Sequence, residues 1–244
     1  MRRVQVPIAT SADADAPPPA LPETVASCAL LCGLPPEAIA EIARRLQPRS
    51  VAPGALVAVQ DEPGDALFIV AEGRARVTVC GAGGREVTLG LLRPGDVFGE
   101  VALLDGSPRT ANVVALSAAR LLALPQQELL SLVRAFPELG LNLMREMARR
   151  LRRADEVIVG LALDDVEGRL TRTLVRLAQE EGERSPTGGL LLRRRPTQQE
   201  LATMVGSSRE TVSRTYTSMI RRGLLVARGR TLLLTESLLQ RLPA

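Results

Sequence analysis

Hydrophobic and polar positions alternate in different ways in successive parts of the chain. Between Arg49 and Leu124, short β-rich runs such as "LFIVAEG", "RARVTVC" and "REVTLGLL" are separated by the turn-forming stretches "APGA", "EPGD", "GAGG" and "RPGD". Short strands at about ten-residue spacing predict a compact all-β roll or barrel. Ahead of it, "LPPEAIAEIARRL" (Leu34–Leu46) has helical spacing with proline at its start. Behind it, Met144, Met147, Leu151, Ala154, Ile158 and Leu161 step alternately by three and four residues. This seam, flanked by "REMARRLRRADE", predicts a long helix over 136–163 that pairs with a second helix.

After a hinge near Asp164–Asp165, "DDVEGRLTRTLVRLAQEEGE" resumes helical spacing. "RSPTGG" reads as a loop and "LLLRRRP" as a strand. "TQQELATMVG" and "SSRETVSRTYTSMIRRG" predict two helices, and "LLVARGRTLLLT" two strands around an Arg-Gly turn. Helix, turn, helix and β-hairpin make a winged helix-turn-helix. The opening "SADADAPPPALP" has no periodicity and is expected to be mobile. The expected architecture is α+β: a tail over 1–24, a β-roll over 25–136, a dimerisation helix and hinge over 137–165, and a winged helix-turn-helix over 166–244.

Composition narrows the chemistry. A chain of 244 residues holds two domains comfortably. It contains neither a membrane-length apolar run nor an apolar leader, and its three cysteines (Cys28, Cys32, Cys80) fit free thiols in a reducing compartment. A cytoplasmic protein with no membrane contact is expected. There is no histidine, so the commonest general base, haem ligand and zinc ligand is missing. Three thiols also fall short of the four that an iron–sulfur cluster takes. No metal and no haem are expected. Glu100 and the Asp164–Asp165 pair are the acids available to an enzyme, but no nucleophile–base pair accompanies them, so none is expected.

Charge is unevenly placed. From Val166 onward there are fourteen arginines against seven acids; the preceding residues carry seventeen arginines against twenty acids. A basic C-terminal part on a mildly acidic remainder points to a polyanionic partner there.

Two stretches carry specific chemistry. In "FGEVALLDGSPRTA" (Phe98–Ala111) a helical turn after Gly99 aims the free N–H groups of Gly99, Glu100 and Val101 at an anion. Arg109 adds a guanidinium fork and Thr110 a hydroxyl, while Glu100 supplies an acceptor for a neighbouring hydroxyl. A phosphate and a sugar hydroxyl held a few ångströms apart satisfy all of these. In "GSSRETVSR", Ser207 or Ser208 caps the second helix, with Glu210 placed as in a capping box on Ser207. Arg209, Glu210 and Arg214 share one face, suited to guanine and cytosine edges, while Thr197, Gln199, Ser208 and Thr211 suit the DNA backbone.

At Phe98, Gly99, Glu100, Ala102, Leu103, Pro108, Arg109, Thr110 and Ala111 the chain resembles the phosphate-binding cassette of cyclic-nucleotide-binding domains. "GSSRETVSR" after "RPTQQELA" is similar to the bacterial family of the cyclic-AMP receptor protein and FNR regulators, and the resemblance runs from about Leu34 to Thr235. It implies a homodimeric transcription regulator that binds palindromic promoter DNA and contacts RNA polymerase, controlled by a cyclic nucleotide, cAMP first and cGMP second. A cyclic di-GMP-responsive or a redox- or gas-sensing regulator is the alternative on the same scaffold. Arg209, Glu210 and Arg214 match the triad that reads TGTGA-type half-sites. Ser213 also completes the E-x-x-S-R pattern of the FNR type, which reads TTGAT, but Arg209 as an extra guanine reader favours TGTGA. The family's adenine-binding Thr-Ser pair is replaced by Ala154 and Asp155. Ala154 cannot bond a base, whereas the Asp155 carboxylate suits the two adjacent donors of guanine.

Overall fold

The computed structural model describes residues 21–26, 28–81, 86–186 and 188–240. The chain divides into two compact units at Leu151/Arg152.

The first unit opens with helices α1 (Glu23–Ala26) and α2 (Pro36–Arg45). Eight strands follow: β1 (Gln47–Val51), β2 (Leu56–Ala58), β3 (Ala66–Glu72), β4 (Ala75–Cys80), β5 (Glu86–Leu92), β6 (Val97–Phe98), β7 (Asn112–Ala115) and β8 (Ala119–Pro125). A short helix, α3 (Glu100–Asp105), interrupts them between β6 and β7, and α4 (Gln126–Ala135) and α5 (Pro137–Leu163) come after. The strands form two four-stranded antiparallel sheets, ordered β1-β8-β3-β6 and β2-β7-β4-β5.

Strand β3 reads as an almost continuous apolar run because both of its faces are covered. Successive side chains of a strand point to opposite faces. Leu67, Ile69 and Ala71 pack with Val25, Ile42, Leu129, Leu132 and Leu139 of the helices. Phe68 and Val70 pack with Ala58, Phe98 and Val113 instead. The helical layer and the second sheet therefore share one central strand, which fixes β6 and the following α3 against β3.

The expected tail ended at Thr24, but a helical turn begins at Glu23. Val25 is fully buried and the Thr24 hydroxyl donates to the Ala71 carbonyl at 3.1 Å. Apolar burial, not periodicity, orders these few residues. The remainder of that segment, 1–20, lies outside the described residues. On α5, Leu139 and Leu143 are buried, and the buried Asn142 donates to the carbonyls of Leu30 at 2.9 Å and Cys32 at 2.8 Å. Farther along the same helix the heptad seam stands open: Met144 and Leu151 are 60% and 65% exposed, and Ile158 and Leu161 are exposed as well. All three cysteines are free.

In the second unit α6 (Val166–Glu181) is capped by Asp165, whose side chain accepts from the Gly168 N–H at 2.8 Å. It is followed by β9 (Glu183–Arg184), β10 (Leu190–Leu192), α7 (Gln198–Val205), α8 (Arg209–Arg221), β11 (Leu225–Arg228), β12 (Thr231–Leu234) and α9 (Glu236–Leu239). The sheet order is β11-β12-β10-β9, all antiparallel. Leu170, Leu174, Leu201, Val205, Val212 and Met219 form the buried interior. Arg222 at the end of α8 forms a two-pronged ion pair with Glu167 of α6, at 2.8 and 2.7 Å.

Candidate functional site: an anion clip and a nucleic-acid interface

The clip is built where β6 ends. Gly99 has a positive φ of 86°, and a Cβ there would sit 2.7 Å from Arg109 Nη1 and 2.9 Å from the Ala66 carbonyl oxygen. Glycine is required on both counts. Glu100 then opens α3 with its side chain only 1% exposed, and Arg109, on the segment leading into β7, is 7% exposed.

These two charges do not pair with each other in the structure. Arg109 Nη2 contacts Asp65 Oδ1 at 3.1 Å and the Ala66 carbonyl at 3.3 Å, and its guanidinium lies 5.6 Å above the Phe68 ring. Glu100 Oε1 accepts from Arg150 Nη1 at 2.7 Å, and Arg150 also donates to the Val97 carbonyl. That leaves Arg109 Nη1 and Glu100 Oε2 buried with no hydrogen-bond partner. A buried polar atom without a partner carries a desolvation cost that a bound group can recover. One atom is a cationic donor and the other an acceptor, so the group they complement pairs an anion with a nearby hydroxyl. Burial pushes the Glu100 carboxyl above its ordinary range, with the Arg150 charge opposing it.

Val101 is half-buried in α3, and Thr110, next to Arg109, is exposed. Ala154 and Asp155 are exposed on α5, beyond Leu151, in the second unit. Asp155 forms no ion pair among the described residues. Asp65, Phe68 and Arg150 were missed by sequence reading. "EPGD" registers as a turn and "REMARRLRRADE" as an exposed helix face, and neither pattern reports a distant partner.

On α8, Arg209, Glu210 and Arg214 are exposed, Thr211 and Ser213 are half-buried, and Val212, Tyr216 and Met219 are buried. Thr197 and Gln199 are exposed at the start of α7. The capping box expected on Ser207 and Glu210 is not formed. Gly206 adopts a left-handed φ of 63° and the Ser207 N–H turns back to the Ala202 carbonyl at 3.0 Å, closing α7. Ser208 is left as the cap, its Oγ accepting from the Thr211 N–H at 3.1 Å. The capping box stands one helix earlier: Thr197 Oγ1 accepts from the Glu200 N–H at 3.2 Å, and Glu200 Oε2 from the Thr197 N–H at 2.7 Å. Glu210 makes no ion pair with Arg214. Its own backbone N–H and the Ser208 side chain hold its carboxyl below the usual range.

A β-roll with a buried arginine–glutamate clip, followed by a winged helix-turn-helix with an arginine-bearing second helix, defines a DNA-binding regulator with a ligand-binding domain. Residues 48–136 match the cyclic nucleotide-binding domain and residues 168–242 the Crp-like helix-turn-helix domain. The chain is 34% identical over 215 residues to the CRP-like cAMP-activated global transcriptional regulator of Mycobacterium tuberculosis, covering 88% of this chain and 96% of that one. It is 38% identical over 200 residues to the cyclic AMP receptor protein of Thermus thermophilus, covering 80% and 87%. The solved structure of the c-di-GMP responsive global regulator CLP of Xanthomonas campestris superposes with a TM-score of 0.71 at 26% identity, over 82% of this chain and 98% of that one. The chain belongs to the CRP/FNR family of transcription regulators. Proteins of this family are DNA-binding factors and not enzymes. No helix among the described residues is long and apolar enough to cross a membrane.

Proposed function

We propose that the chain is a homodimeric regulator whose binding to palindromic promoter DNA is controlled by a cyclic nucleotide, cAMP in the first place. The observation that carries this is the pair of buried, unpartnered atoms, Arg109 Nη1 and Glu100 Oε2. A cyclic phosphate supplies the acceptor for the first and a ribose 2′-hydroxyl the donor for the second. Gly99, Val101 and Thr110 contribute close backbone approach, an N–H group and a hydroxyl around the same phosphate. The two relatives named above are described as responding to cAMP, which favours that ligand.

A second reading, cGMP or cyclic di-GMP, is supported by Ala154 and Asp155, which offer guanine a carboxylate and adenine no paired hydroxyls. Arg209, Glu210 and Arg214 would read a TGTGA-type half-site, with Thr197, Gln199, Ser208 and Thr211 near the DNA backbone, while Ser213 belongs to the alternative pattern for a TTGAT-type half-site. The open seam on α5 supplies the dimer contact, and the setting is cytoplasmic, with RNA polymerase as the next partner. Calorimetry with cAMP, cGMP and cyclic di-GMP on one sample of the full chain, followed by DNA binding with and without the ligand found, tests the reading. Absence of heat with all three nucleotides would overturn it.

A further inference from the structure

Arg150 reaches the clip from α5, and each nitrogen of its guanidinium has an acceptor. Nη1 donates to Glu100 Oε1 at 2.7 Å, Nη2 to the Val97 carbonyl, and Nε to Glu146 Oε1 at 3.1 Å. Glu146 lies four residues before Arg150, about one helical turn back on the same side, which is the spacing of an ordinary surface ion pair. Such a pair by itself contributes little. This one differs at its far end, where the other two acceptors belong to α3 and β6 and the Glu100 side chain is enclosed. Glu146 is itself pinned, since its second oxygen, Oε2, accepts from Arg149 Nη1 at 2.9 Å.

The consequence falls on Glu100. A guanidinium facing a carboxylate is well matched to two parallel N–H···O bonds, which take both oxygens. Arg150 makes only one bond to Glu100. Its Nε is turned to Glu146 and its Nη2 to Val97, and Glu100 Oε2 stays buried without a partner. An unpaired buried acceptor carries a desolvation cost, so closing the fork onto Oε2 is favourable once Arg150 is free to turn. Glu146 opposes that turn. Without an acceptor at Nε the long side chain regains the rotamers that this contact now removes.

We propose that Glu146 is a positioning residue of the clip: by holding Arg150 to a single bond on Glu100, it keeps Oε2 open for the 2′-hydroxyl of a bound cyclic nucleotide. It thereby sets the preference of the site for ribose over 2′-deoxyribose. The proposal rests on the cyclic-nucleotide reading and adds to it a residue that does not itself touch the ligand. Glu146, Arg149 and Arg150 all belong to the first unit, with the clip.

Calorimetry on the full chain with cAMP, cGMP and the 2′-deoxy form of each tests it. A hydrogen bond to a buried carboxylate should give the wild type about a 10- to 100-fold preference for the ribose form of the nucleotide it binds. Alanine has the highest helix propensity, so Glu146→Ala keeps α5 intact, and circular dichroism melts should show it folded. In that variant the ratio should fall to within about threefold of one, through lost affinity for the ribose form with the deoxy form almost unchanged. Glu146→Gln retains an acceptor for Nε and should keep the ratio within about threefold of the wild-type value. A merely structural role would weaken both sugars alike and leave the ratio where it was. An unchanged ratio in Glu146→Ala, equal losses for the two sugars, or a ratio lost as fully in Glu146→Gln would overturn the proposal while leaving nucleotide binding intact. A wild type that binds the nucleotide but is indifferent to its 2′-hydroxyl would overturn it as well. A wild type that binds neither cAMP nor cGMP would remove the reading on which the proposal rests.

Discussion

Replacing Arg109 by alanine isolates the phosphate contact of the clip from the folding of the roll. The guanidinium is already desolvated and held, with Nη2 on Asp65 and Ala66 and the plane over Phe68, so a phosphate meets a pre-formed donor at Nη1. Little ordering cost is left to the binding step. Losing one partner of a buried charge-assisted pair costs about 2–5 kcal/mol. At about 1.4 kcal/mol per decade this is a loss of roughly 30-fold to a few thousand-fold in nucleotide affinity. The stability change should be far smaller. Asp65 is mostly exposed, so its pair with Arg109 is worth about 1 kcal/mol or less, and the unsatisfied Nη1 disappears with the side chain. Arg109→Lys should fall between wild type and alanine, because the three donors of an ammonium radiate from one nitrogen and cannot span Asp65, Ala66 and the ligand as the planar guanidinium fork does. Isothermal calorimetry with cAMP and cGMP measures the affinities, and circular dichroism melts establish that both variants fold. Binding by Arg109→Ala within threefold of wild type, with a normal melt, would refute the assignment of this clip to the phosphate.

Glu100 adds a pH signature. Because burial raises its pKa above the ordinary 4.5, the folded state binds its proton more readily than the unfolded chain, and its contribution to stability grows as pH falls through the raised pKa and is fully present below the ordinary 4.5. Melts of Glu100→Gln across that range should lack this contribution, and wild-type nucleotide affinity should weaken over the same window as the acceptor is protonated. Arg214→Ala should cost about 1–3 kcal/mol in DNA binding and relax preference at one G·C pair per half-site in a selection from random duplexes. If Asp155 reads guanine, Asp155→Ala should lose cGMP affinity by about 1–3 kcal/mol and leave cAMP almost unchanged, whereas equal small losses would make Asp155 a surface residue.

What the linear pattern held was the identity and order of elements and the chemistry of contiguous stretches. Alternation between turns marked the roll, the three-and-four spacing from Met144 to Leu161 marked α5, and Phe98–Ala111 displayed its glycine, acid and arginine within a single run. Such signals survive in one dimension because the residues that cooperate are within a turn or a strand of each other. The partners of those charges were another matter. Arg150 meets Glu100 from 50 residues away and Asp65 meets Arg109 from 44, through the packing of α5 and β3 around the end of β6. Neither periodicity nor composition encodes which side chains two remote elements bring together. The same holds for Ser207 and Ser208, equivalent as capping residues until Gly206 turns left-handed and binds the first into the end of α7. It holds for Tyr216 too. Helical spacing places it among the buried residues of α8, but only the tertiary structure shows that its hydroxyl is enclosed along with its ring, because burial is decided atom by atom and sequence patterns report it residue by residue.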